Sequence, residues 1–374
     1  MIHGHGGNIY EVARRFDCRP SEIIDMSSNI NPLGPPPGLL QHLKENLEAI
    51  TRLPEVDAGS TVRRFAEFIG VESERLLAGN GTTQFIYAIP QVLESARVLI
   101  VGPTYTDYGD ACRLQGVPHI FYMTKESEDF IPDIEAIEQD LQPADTIFIC
   151  NPNNPTGTLI PAADLKSLCR CYPKKNFIID ESYLDFVPHA ANETMVHAGL
   201  DNVIVLLSVS KIFKIPGLRT GFITGAAAGI EKFRTHLLPW STNSLAQLAM
   251  DYIAEHKAMI QEFIDETRRY ISSQRQQFCN TMEKTADLRI YNGQASFILL
   301  KLQGELSAND VWQKMAEDKI LIRSCANVQG LSDRFIRISL KTPEANRLMA
   351  SRLLAIDRGA EKSRGGLTAL RMAS

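Results

Sequence analysis

The chain, 374 residues long, places a lysine where a buried charge is costly. Lys211 follows the apolar run VIVLL (203–207) and lies within SVSKIFKIPGLRTG (208–221). At the end of a buried strand its amine either snorkels to water or does covalent chemistry. Other chemically capable residues stand at similar places upstream. GNGTTQ (79–84) is a glycine-rich turn opening a helix, in which Gly81, Thr82 and Thr83 offer curled backbone, hydroxyls and free N–H groups. That is an anion cradle, although the same letters also cap an ordinary helix. Tyr105, in PTYTDY after RVLIVG, either stacks on a flat ring or covers the sheet edge. NPNNPTG (151–157) is a turn by composition, and its Asn-Pro steps hold Asn154 at a strand end. Asp180 closes the apolar FIID and needs a cationic partner, because burying an unpaired carboxylate is very costly. Tyr183 lies three residues further on, and Arg219 lies beyond the lysine.

One ligand uses all of these groups together: pyridoxal 5′-phosphate. A lysine links to its aldehyde, a carboxylate keeps its pyridine nitrogen protonated, and N–H groups, hydroxyls and an arginine take its phosphate. With the motifs in this order on successive strand ends, Lys211 is expected to be the covalent residue. On these residues the chain resembles the fold type I family of PLP-dependent enzymes, the aspartate-aminotransferase superfamily, over almost its whole length. The resemblance implies Lys211 as the Schiff-base lysine, Asp180 as the pyridinium partner, and Tyr183 and Asn154 as donors to the cofactor O3′. It further implies Tyr105 as the stacking aromatic and Gly81, Thr82, Ser208, Ser210 and Arg219 as the phosphate cup. Arg337, in FIRISL, matches the arginine that receives a substrate α-carboxylate.

The ends of the chain narrow the reaction. HGGN (5–8), DMSSNINPLGPP (25–36), LPWSTNSLA (238–246) and ILIRSCANVQGL (320–331) resemble the threonine-phosphate decarboxylase family. This implies decarboxylation of L-threonine O-3-phosphate to (R)-1-amino-2-propanol O-2-phosphate in cobalamin biosynthesis. Histidinol-phosphate aminotransferases share SxNxNPxG, the lysine stretch and the late arginine, so transamination is the alternative. Serine phosphate is an alternative substrate, since a pocket separates ligands differing by one methyl by only ~1–3 kcal/mol. A phosphorylated amino acid brings two anions and needs two cationic anchors. Arg323 and Arg337 are one apparent hairpin apart and are expected to face one site, the other reading of Arg323 being a surface strand charge. His5 and the amides of Gly6, Gly7 and Asn8 complete a phosphate clamp, unless His5 is simply a frayed terminal residue. Asn31 either meets the carboxylate or caps the NPLG turn. In many relatives a tyrosine reaches across a homodimer to the partner's cofactor. Here Arg52-Leu53-Pro54-Glu55 carries leucine at that position, while dimerisation itself is still expected.

The elements that must position these residues follow from hydrophobic periodicity. RVLIVG (97–102), HIFYM (119–123), TIFIC (146–150), NFIID (176–180), VIVLL (203–207) and GFITG (221–225) read as buried strands. Helix-period stretches such as PAADLKSLCRCY (161–172) separate several of them, which is the pattern of a largely parallel sheet covered on both faces. Ligands of such sheets bind at the carboxyl ends of the strands. After about Ser244 come long helices, one around Phe263–Glu283, then SFILLKL (296–302), ILIRS (320–324) and FIRISL (335–340) as a small sheet. The expected architecture is an α/β PLP-transferase fold: a large, mostly parallel domain with a seven-stranded type of sheet (51–265) and a smaller α+β domain (266–356). Residues 1–50, with a helix around Leu39–Ala49, are expected to pack on the smaller domain, and 357–374 to form a mobile tail.

Bulk composition fits an ordinary soluble protein, with 44% hydrophobic and 22% charged residues. A formal net charge of −5 gives no field favouring nucleic acid or an anionic membrane. The start, MIHGHGGNIYEVARRF, reads as neither an export nor an organelle signal, and no apolar run approaches the ~20 residues of a membrane span. The seven cysteines form no CxxC pair and sit beside no histidine cluster, so reduced thiols in the cytoplasm and no bound metal are expected.

Overall fold

A computed structural model describes residues 6–283, 285 and 287–356. His5 and the segment 357–374 therefore lie outside the described residues. After a two-residue strand β1 (Ile24–Asp25), seven strands follow: β2 (Leu76–Gly79), β3 (Val98–Gly102), β4 (His119–Met123), β5 (Thr146–Cys150), β6 (Asn176–Asp180), β7 (Val203–Leu207) and β8 (Gly221–Thr224). They form one sheet in the order β2-β8-β7-β6-β5-β3-β4, in which only β8 runs antiparallel to its neighbours. Each of the six expected strands is present; LLAG of β2, whose four residues are too few to show a period, joins as the seventh.

Burial explains why these runs are apolar throughout. Leu99, Val101, Ile147, Ile149, Phe177, Ile179, Val203 and Val205 pack into one cluster, and their alternates Val98, Ile100, Phe148, Ile178, Ile204 and Leu206 into another on the opposite face. Side chains of a strand alternate faces, so a sheet covered on both sides needs apolar residues at every position. The chain runs outward to β4 from β3 but in the other direction from β5 to β7. The loops after β3 and β5 therefore flank a topological switch point, where open α/β sheets hold ligands.

The remaining strands are β9 (Leu288–Ile290), β10 (Phe297–Leu302), β11 (Ile320–Leu321), β12 (Arg323–Ser324) and β13 (Phe335–Ser339). An antiparallel sheet runs β12-β13-β10-β9. The expected strand ILIRS is divided: β11 pairs in parallel with β1, while β12 pairs with β13. Ile322, buried between them in the core, is the pivot. The helix Lys257–Met282 buries Ile260, Phe263, Ile264, Ile271, Phe278 and Met282, and its apolar cluster reaches residues of both sheets.

The N-terminal segment does not behave as one unit. Residues 24–25 extend the β11 edge, and Val12 packs with Ala316 and Leu321. The helix Leu39–Glu45, expected in the smaller lobe, lies instead against the helix Ser244–Glu255. There the Tyr252 hydroxyl donates to the Pro37 carbonyl at 2.9 Å and its ring meets His42 at 5.0 Å. That second helix also packs on Gly59–Ile69, which sits beside the large sheet. Among the described residues no helix is long and apolar enough to cross a membrane.

Candidate active site

Two adjoining cavities open at the carboxyl ends of the large sheet, sharing Tyr105, Asn154, Tyr183 and Lys211. One of them is lined by Gly81, Thr82, Thr83, Asp180, Ser208, Ser210 and Arg219 in addition. Every residue assigned to cofactor binding from sequence is brought together there.

Lys211 sits in a single helical turn, Val209–Ile212, at the end of β7. Burial, together with the charges of Arg219 and Arg337, pulls its amine down from 10.5 to about 8, against the opposing pull of Asp180. The lowered value leaves more of the amine neutral at neutral pH than an exposed lysine has, which favours its use as a nucleophile. Asp180 shares its strand face with Ile178, and that face is covered by the helix Asp107–Leu114. The alternation that buries Ile178 thus points the carboxylate at Tyr108, whose hydroxyl donates to Oδ2 at 2.7 Å. Oδ1 accepts from the Ser182 amide at 3.0 Å and from the Ser182 hydroxyl. Burial pushes the Asp180 carboxyl up, while Ser182, Tyr108 and Lys211 hold it down.

At the other end of this cavity, Gly81 (φ +74°) precedes the helix Thr82–Val92. A Cβ on Gly81 would lie 2.8 Å from an Arg219 guanidinium nitrogen, and a Cβ on Gly221 2.7 Å from the Thr82 amide nitrogen. Both glycines are therefore required for the guanidinium and the helix N-terminus to converge. Ser208 and Ser210 add hydroxyls 3.3 Å apart. The set fits a planar, phosphorylated aldehyde: an amine, a buried carboxylate, a helix N-terminus with an arginine, and the aromatic ring of Tyr105 in the cavity wall.

The second cavity is built mainly from the chain's ends. Gly6, Ser27, Ser28 and Asn29 come from the N-terminus, and Arg323, Cys325, Val328 and Arg337 from the small sheet and its following loop. Arg323 and Arg337 are directly opposed in the β12–β13 ladder. Arg337 is 7% exposed; its Nη2 donates to the Ser27 carbonyl at 2.6 Å and its Nη1 to the Asn154 Oδ1. Its Nε has no hydrogen-bond partner among the described residues. Arg323 donates to Asn327 Oδ1 at 2.7 Å, and burial plus the neighbouring arginine lowers its pKa. No carboxylate among the described residues forms an ion pair with either. Like charges directly opposed on a ladder are destabilising, so this pair is set for an anion.

Three sequence expectations are redirected. Asn31 is fully buried away from both cavities: its Nδ2 donates to the Ile212 carbonyl and to Thr267, each at 2.8 Å, and its Oδ1 accepts from the Leu33 amide at 3.0 Å. It caps the NPLG turn and leaves no atom for a carboxylate. Asn29 lines the cavity instead, donating to the Tyr183 hydroxyl at 3.3 Å. Asn8 is spent as the N-cap of the helix Ile9–Arg15, and the Gly7 amide donates to Ser27 Oγ at 2.6 Å, so of this motif only Gly6 borders the cavity among the described residues. Asn29, Tyr108 and Ser182 were missed from sequence. The usable signals were the first asparagine of SNIN and the second tyrosine of PTYTDY, which falls in the first turn of the helix Asp107–Leu114.

A family model for aminotransferase class I and II matches residues 21–353. The chain is 33% identical over 354 residues to the threonine-phosphate decarboxylase of Salmonella typhimurium, covering 93% of this chain and 95% of that one. Among solved structures it is similar to L-threonine-O-3-phosphate decarboxylase from Porphyromonas gingivalis, at a TM-score of 0.80 and 29% identity, over 89% of this chain and 99% of that one. It is also similar to histidinol-phosphate aminotransferase from Clostridium acetobutylicum, at a TM-score of 0.82 and 25% identity, over 90% and 100%. With its lysine, carboxylate and phosphate cradle in place on the large sheet, the chain belongs to the aminotransferase class I and II family of fold type I, pyridoxal-phosphate-dependent enzymes.

Proposed function

We propose that the chain decarboxylates L-threonine O-3-phosphate, giving (R)-1-amino-2-propanol O-2-phosphate and CO₂, a step in corrinoid biosynthesis. The observation that carries this reading is the facing pair Arg323 and Arg337, two cations without a carboxylate partner among the described residues, beside Lys211. A substrate with two anions matches that pair; one with a single anion leaves an arginine unanswered.

When bound, pyridoxal phosphate supplies the electron sink for bond cleavage at Cα. Lys211 would hold it covalently, and its amine would donate to Cα the proton that takes the place of the departing carboxylate. Asp180 keeps the pyridine nitrogen protonated, and the hydroxyl of Tyr108 with Ser182 fixes that carboxylate. Tyr105 would cover its ring, while the Tyr183 hydroxyl and the Asn154 Nδ2 would donate to its phenolic oxygen. The Thr82 and Thr83 amides, Ser208, Ser210 and Arg219 take the cofactor phosphate. Arg337 receives the substrate carboxylate, and Arg323, with the backbone at Gly6, receives the substrate phosphate. Two fixed anchors restrict rotation about Cα, so remote binding energy selects the carboxylate as the leaving group.

A homodimer is part of the same reading. Leu53 (75% exposed), Ile50, Val56, Leu238 and Trp240 form exposed apolar surface, with the Trp240 amide donating to the Val56 carbonyl at 2.8 Å. Sedimentation velocity should show a species of twice the chain mass. The reaction is tested by incubating holoenzyme with L-threonine phosphate and assaying CO₂ and keto acid separately. Release of CO₂ without keto acid supports decarboxylation; keto acid without CO₂ identifies an aminotransferase.

A further inference from the structure

The substrate cavity is polar on most sides, but one side is not. Val328 borders it on the loop that follows Arg323, and the buried Cys325 lines it as well. The turn carrying Val328 is closed by its own amide, which donates to the Cys325 carbonyl at 2.9 Å. It is backed by a plug from the large domain. Phe130, 2% exposed, packs in one cluster with Cys325, Val328, Tyr291, Leu299 and Phe335. Its ring lies 5.1 Å from Tyr291 and 5.8 Å from Phe335. The chain accepts left-handed backbone at both Asp129 (φ 52°) and Phe130 (φ 58°) to deliver it. Ion pairs pin the same segment: Lys301 donates to Glu126 at 2.6 Å and Arg289 to Asp129 at 2.7 Å. On the far side of the loop, a Cβ on Gly330 (φ +89°) would meet Met123 Sδ at 2.7 Å. A surface loop held this firmly from behind presents a fixed apolar wall.

We propose that Val328, backed by Cys325 and Phe130, is the specificity-determining wall that seats an alkyl branch on the phosphate-bearing carbon of the substrate. This rests on the reading of the substrate as a phosphorylated amino acid. A branched substrate covers the wall, whereas an unbranched one leaves it wet. One methyl group in an apolar pocket gives roughly 10–200-fold discrimination. Wild-type holoenzyme should therefore prefer threonine phosphate to serine phosphate in kcat/KM by about that factor. Val328→Ala and the near-isosteric Val328→Thr should both bring the ratio towards one, mainly by slowing threonine phosphate. Phe130→Leu should lower the ratio by a smaller factor.

Binding is measured in parallel by calorimetry with isopropyl phosphate and ethyl phosphate, which carry the same branch difference and cannot react. Wild type should bind the isopropyl ester several-fold tighter, and Val328→Thr should bind the two alike. Equal handling of both substrates by wild type, or a preference that survives both Val328 variants, overturns the proposal. If neither phosphorylated amino acid loses CO₂, the reaction reading falls, and the two alkyl phosphates decide the wall by themselves. Thermal melts accompany each variant: a Phe130→Leu protein of lower Tm but unchanged ratio removes Phe130 from the device.

Discussion

The two cavities that meet at Lys211 are built in opposite ways. The cofactor side draws its residues from the stretch 81–219, in the strand ends, loops and first helical turns at one edge of a single sheet. The substrate side joins residues 6–29 to residues 323–337 through the short β1–β11 ladder and the Arg337–Ser27 hydrogen bond, with the β12–β13 ladder setting Arg323 against Arg337. Sheet order fixes the first side, because any sequence with those strands in that order brings the same loop positions together. The second depends on how two distant segments dock. Substitutions on the cofactor side should accordingly remove chemistry, and those on the substrate side should change which molecule is processed.

The largest expected effect is at the shared residue. Lys211→Ala should abolish turnover while leaving far-UV circular dichroism unchanged, and borohydride reduction of wild type should label Lys211. Label recovered on Lys214 in peptide mapping would move the covalent site off the end of β7.

Asp180→Asn should retain bound cofactor yet lose roughly 10²-fold or more in kcat, since a neutral amide no longer holds the pyridine nitrogen protonated. Tyr108→Phe removes one donor from that carboxylate, a hydrogen bond to a charged group worth about 1.5–3 kcal/mol. Because this donor lowers the Asp180 pKa, its loss should raise it. The acid limb of the pH–rate profile should then move to higher pH, an effect a purely structural role would not produce.

On the substrate side, Arg323→Ala should slow threonine phosphate far more than threonine, and Arg337→Ala should slow both. Comparing kcat/KM for the two substrates across both variants is the measurement. Equal losses for both substrates in Arg323→Ala would take Arg323 out of the phosphate site and return it to a strand charge.

The smallest effect is on stability. Lys211 titrates at about 8 in the folded chain against 10.5 unfolded, so the folded state binds fewer protons between those values. Its burial therefore costs stability below about pH 8, and the cost is relieved as pH rises towards 10.5. Lys211→Met apoprotein should melt higher than wild type at pH 7, by at most about 3 kcal/mol and less where water reaches the amine. The gap should narrow at pH 9.5.

What the sequence determined by itself was the large sheet and the set of polar residues that meet at its rim. Buried parallel strands announce themselves as apolar runs, and the residue closing each run is fixed at the ligand-binding rim by period two alone. VIVLL before Lys211 and FIID at Asp180 needed no tertiary information. Only the tertiary structure decided which asparagine of SNIN faces the cavity, because residues 29 and 31 share a chemistry and two apart share a direction in an extended chain. The contacts of Asn31 with Ile212 and Thr267, more than 180 residues away, settle it. The split of ILIRS between two sheets was equally hidden, since a run of apolar letters does not record which partner strand each residue meets. Phe130 behind Val328 is the extreme case: a lone aromatic in a polar loop acquires its meaning from a wall built of residues almost 200 positions later. Local patterns encode faces and strand ends; docking between segments remote in sequence is set by shape and burial that no local pattern carries.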